Sequence, residues 1–122
     1  MNQELLQTMN KYCISFIKKP SGIKEVHGTH YLSGFISKWG NSHPDDVIDF
    51  IADIDKCINR QFDFENLDTT MYSIDNYDTE LVPAGLIFFN KNSTGYVTST
   101  DIFPYEDIKI LLVGWSNFKL LA

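Results

Sequence analysis

A chain of 122 residues with 43% apolar and 14% aromatic content can close one hydrophobic core and is too apolar to remain disordered. Its net charge of −6 argues against nucleic acid or anionic membrane as a partner, because both call for a basic face. There is no basic start leading into an apolar run, and no stretch nears the ~20 apolar residues of a bilayer span, so the expectation is a single domain over residues 1–122 in the cytoplasm.

In chain order, Asn2 is placed to cap a first helix reaching to about Lys19, with Leu5, Leu6, Met9, Tyr12, Cys13, Phe16 and Ile17 on one face at period 3.6. Pro20, Ser21 and Gly22 stop it, and an irregular link follows from Ile23 to Gly28. A second helix is predicted after Thr29, with Tyr31, Leu32, Phe35, Ile36 and Trp39 on one side. Gly34 weakens that helix and Gly40 ends it; a strand over 31–36 is the alternative. The third helix has the clearest signature. Ser42 caps it, Pro44 lies in its first turn, and Val47, Ile51, Ile54 and Ile58 form its stripe before an end near Gln61.

The pattern then turns to strands. Thr69–Asp75 reads as one, Asn76–Glu80 as a polar connection, and Ala84–Phe89 as a covered central strand carrying Leu86, Ile87, Phe88 and Phe89. Asn90–Gly95 is a hairpin loop and Tyr96–Asp101 the returning strand. Pro104 opens a last helix on which Ile108, Leu111, Leu112, Trp115 and Phe118 recur at helical spacing. The fold class that follows is α+β: N-terminal helices, a three-stranded antiparallel β-meander, and a C-terminal helix packed on the sheet.

Few residues group in a way that supports catalysis. His27, His30 and His43 match no zinc spacing, and Cys13 and Cys57 are expected on buried helix faces as inert reduced thiols. No nucleophile elbow, Walker loop or dinucleotide fingerprint is present. Catalytic, metal and cofactor sites are therefore expected to be none. Abundant carboxylates leave a small hydrolase as a remote alternative.

The acidic segment stands above background. Residues 45–80 hold eleven of the sixteen acids and two bases, a local balance of −9, while the rest of the chain sets eight bases against five acids. Helix-dipole complementarity accounts for Asp45 and Asp46. Asp45, Asp49 and Asp53 repeat at i,i+4, which places like charges side by side, and Phe62-Asp63-Phe64-Glu65 interleaves aromatics with acids. The candidate partner-binding residues are Asp49, Asp53, Asp63, Phe64, Glu65, Asp68, Asp75, Tyr77, Asp78 and Glu80, and the partner they suit is a basic protein.

The C-terminal stretch Gly95–Lys119, GYVTSTDIFPYEDIKILLVGWSNFK, runs from a strand into a Pro-initiated amphipathic helix ending Trp-x-x-Phe. It resembles small immunity proteins of bacterial toxin systems, particularly those of contact-dependent growth inhibition. The resemblance covers about a quarter of the chain by motif and carries over no individual residue. It implies a cytoplasmic antitoxin that binds a cognate toxin domain and blocks its active site or its access to substrate. An intracellular adaptor binding another basic protein is the alternative.

Overall fold

The first helix of the computed structural model, α1 (Gln3–Lys11), starts as the sequence predicts: Asn2 Oδ1 accepts the Leu5 amide at 2.7 Å. It ends eight residues early. Cys13 adopts φ 54°, a left-handed conformation that breaks the helix, and the chain continues as β1 (Ile14–Lys18). Ile14 and Phe16 alternate inward, so this apolar run has the period of a strand. The Pro20-Ser21-Gly22 stop is the turn of a hairpin, and the supposed irregular link is its second strand, β2 (Lys24–Gly28). The structure describes residues 2–28, 30–42, 44–65, 70–74 and 77–121.

The helix reading holds for the next two elements, α2 (Tyr31–Ser42) and α3 (Pro44–Ile58). Gly40 does not end α2, and α3 stops at Ile58 instead of near Gln61. The expected Thr29 cap and His43 lie outside the described residues. Gly34 sits inside α2 for a packing reason: the Tyr77 hydroxyl occupies the space a Cβ would need.

The chain then forms β3 (Met71–Ile74), β4 (Tyr77–Val82), β5 (Gly85–Lys91), β6 (Val97–Phe103) and α4 (Tyr105–Leu120). The strands pair antiparallel in the order β3-β4-β5-β6, giving a four-stranded sheet beside the separate β1-β2 hairpin in place of the three-stranded meander expected. Within this sheet the missed strand is β4. Its acids Asp78 and Glu80 make the segment look like a connection, yet Thr79 and Leu81 alternate with them into the core.

The helices cover one face of this sheet. Thr79 and Leu81 of β4 stand opposite Phe88 and Leu86 of β5, and Phe103 of β6 stands opposite Leu86, so these side chains share the inner face. Phe35 of α2 meets Phe88 edge-on at 4.7 Å. Trp39 stacks on Phe50 of α3 at 4.7 Å, and Phe50 in turn meets Tyr72 of β3 at 4.7 Å. Helix α4 runs through the centre, with Ile108, Leu111, Leu112 and Trp115 at most 1% exposed. Gly114 admits α1 there, since an added Cβ would stand 2.6 Å from Leu5 Cδ1. Phe16 of the hairpin packs on Trp115 at 5.3 Å. Lys24 Nζ donates to the Phe118 carbonyl at 2.9 Å and the Lys119 carbonyl at 3.1 Å, which places a cation on the negative end of α4.

Candidate partner-binding surface

The predicted binding residues fall into three groups. On α3, Asp49 is exposed and Asp53 is half-buried one turn further on. The Tyr72 hydroxyl donates to Asp53 Oδ2, and Lys56 Nζ approaches the other oxygen at 3.8 Å. Asp53 is therefore a structural tie between helix and sheet as well as a surface charge. Burial, then the hydrogen bond to Asp53, pushes the Tyr72 phenol well above its ordinary range.

The second group follows α3. Asp63 and Glu65 are exposed, and Asp63 Oδ1 accepts the Glu65 amide at 3.0 Å in a tight Asx turn. Phe64 does not stand out as an aromatic anchor: it pairs with Phe62 at 5.2 Å, and both rings rest half-buried against the core. Asp68 and Asp75 lie outside the described residues.

The third group belongs to β4. Tyr77 turns inward against Phe35, 5.8 Å between ring centroids, so it is chiefly a packing residue. Asp78 and Glu80 point to the opposite, helix-free face. Asp78 accepts from Ser73 Oγ at 2.7 Å and pairs with Lys91; Lys91 first, then Ser73, holds its carboxyl below the usual carboxylate range. Glu80 stands between Met71 and Ile87, and Ile87 faces Ile102 on the edge strand. Met71 and Ile102 are each 49% exposed. This row, Met71–Glu80–Ile87–Ile102, crosses the whole open face and sets one carboxylate among three apolar side chains.

The structure thus joins Asp49 with Asp53, Asp63 with Glu65, and Asp78 with Glu80. The helix-layer acids and the β4 acids lie on different sides of the sheet. Met71, Ile87 and Ile102 were missed as surface candidates. Ile87 belongs to an apolar run that reads as covered on both faces, yet it lies half-buried on the open face, and the alternation of residues 77–82 that defines this face was hidden by their polar composition.

Little converges elsewhere. Among the described residues no three His, Cys, Asp or Glu side chains come together as metal ligands. His27 Nε2 lies 2.8 Å from Glu25 Oε1, and the His30 ring lies against that of Tyr31, 4.1 Å between centroids and tilted by 35°. Cys57 is buried as expected, and burial pushes its thiol up; Cys13 is exposed at the α1–β1 joint, contrary to expectation. Among the described residues no helix is long and apolar enough to cross a membrane.

No family model matches the chain, and neither a curated protein nor a solved structure matches it. The likeness to immunity proteins accordingly rests on the residues of the C-terminal stretch.

Proposed function

We propose that this protein is an immunity protein that binds a cognate, basic toxin domain and blocks its active site or its access to substrate. The observation that carries this reading is the open sheet face, where Glu80 is set among Met71, Ile87 and Ile102. An apolar surface with embedded carboxylates suits a partner that offers apolar contacts and cations together. The exposed acids Asp49, Asp63 and Glu65 add a long-range field that steers such a partner toward the molecule. The strand-to-helix stretch Gly95–Lys119, whose sequence carries the family resemblance, also supplies Ile102 to this face through β6.

The test pairs the protein with the product of the adjacent upstream reading frame. The wild type should bind it, with an association rate that falls as salt rises past ~0.15 M. Glu80→Lys combined with Ile102→Lys should weaken binding tenfold or more, while Glu4→Lys with Glu106→Lys should leave it within twofold. Full-strength binding by the Glu80/Ile102 variant overturns the sheet face as the contact. Absence of any binding overturns the immunity reading.

A further inference from the structure

Where the sheet meets the start of α2, Tyr31, Tyr77, Phe88, Asn90, Asp78 and Lys91 line a pocket of about 230 Å³. We propose that this pocket receives the guanidinium of an arginine side chain supplied by the basic partner, an inference that rests on the function proposed above.

Four aromatic residues contribute to the lining: Tyr31, Tyr77, Phe88 and Phe89. Tyr31 and Phe88 lie 5.3 Å apart at 46°, and Phe88 is held in turn by Phe35 at 4.7 Å. Tyr77 is braced against Phe35 at 5.8 Å, and Gly34 provides the room for its hydroxyl. Aromatic faces attract cations through the ring quadrupole, and a planar guanidinium both stacks on them and donates from several N–H groups.

The polar groups next to the pocket favour the same charge. Asp101 Oδ2 accepts from the Tyr31 hydroxyl and from Asn90 Nδ2, the latter at 3.0 Å. These two donors, Tyr31 first, keep the Asp101 carboxyl below its usual range, so it is anionic at neutral pH. Lys91 is the lining cation, and Asp78 neutralises it. Among the described residues Asp101 is in no ion pair with a Lys or Arg, so it stands as a carboxylate beside the rings, with His30 nearby. A volume of about 230 Å³ falls short of the ~300 Å³ at which drug-sized ligand sites begin. The space suits one side chain, not a cofactor. Asp78 also belongs to the open face proposed as the contact, so an arginine reaching into the pocket would extend from a partner seated there.

The experiment needs no toxin, so its outcome is separable from that of the immunity reading. N-acetyl-arginine methylamide is titrated into the full chain. Resonances of the Tyr31 and Tyr77 rings and the Asn90 side-chain amide are followed by NMR, with the uncharged citrulline analogue as the comparison. The arginine probe should give saturable shifts at these groups, and the citrulline probe should bind at least tenfold more weakly. Asp101→Asn, which keeps an acceptor for Tyr31, should weaken the arginine probe at least fivefold. Glu106→Gln, remote from the pocket, should leave it unchanged. Because Asp101 helps position Tyr31, the Asp101→Asn variant is first compared with wild type by thermal unfolding. Lys91→Gln serves as a second variant and should hold or improve binding. The proposal is overturned if the pocket resonances do not saturate, if citrulline binds equally well, or if a folded Asp101→Asn variant binds like wild type.

Discussion

Replacing Tyr72 by Phe removes one hydroxyl and leaves the ring against Phe50 at 4.7 Å and Trp39 at 6.0 Å, so packing is preserved. What is lost is the hydrogen bond to the Asp53 carboxylate. Bonds to a charged partner contribute roughly 1.5–3 kcal/mol. Asp53 keeps 22% side-chain exposure and has Lys56 nearby, so solvent takes over part of the lost interaction and the low end applies. The expected cost is about 1.5 kcal/mol, which for 122 residues lowers the unfolding midpoint by about 6 °C. Asp53→Asn keeps an acceptor for Tyr72 and relieves repulsion with Asp49, so its cost should be about half as large. Asp53→Ala should cost about as much as Tyr72→Phe, and the double variant little more than either, giving a coupling of about 1 kcal/mol. Urea unfolding of the four proteins of that cycle measures it. A coupling below about 0.3 kcal/mol, with Tyr72→Phe as stable as wild type, would refute the bond as the tie between α3 and the sheet.

Gly34→Ala adds a Cβ where the Tyr77 hydroxyl sits, so overpacking of about 1–3 kcal/mol should outweigh a helix-propensity gain of about 1 kcal/mol. Adding Tyr77→Phe should recover the loss, as read by thermal unfolding. A thiol reagent should label Cys13 rapidly in the native protein and Cys57 only in denaturant, since Cys13 is exposed and burial raises the Cys57 thiol. Stability should fall as pH rises above about 10. Burial pushes the Tyr12 phenol up to about 12 and those of Tyr31, Tyr72 and Tyr105 higher. In that window the unfolded chain has released phenolic protons that the folded chain retains, so each step up in pH favours unfolding. Lys119, pulled down by burial, opposes this as a single group. Urea midpoints at pH 8, 10 and 11 check the sign, and a rising midpoint would contradict it.

The α+β class, helices α2 to α4 and the central strand β5 were legible in the sequence because each carries its own periodicity in enough residues to settle its type. Val47, Ile54 and Cys57 follow one helical stripe, and Leu86 with Phe88 follows a strand. The acidic balance was equally legible, since charge is a property of composition. Short elements with mixed signals were decided by tertiary structure. Ile14 and Phe16 fit either period until a left-handed Cys13 and the packing of Phe16 on Trp115 make them a strand. Asp78 and Glu80 read as a connection because a one-sided strand needs only Thr79 and Leu81 buried. The pocket beside Asp101 was beyond sequence reading for a related reason. Tyr31, Tyr77, Phe88 and Asp101 come from α2, β4, β5 and β6, and only strand register and the seating of α2 on the sheet bring them together.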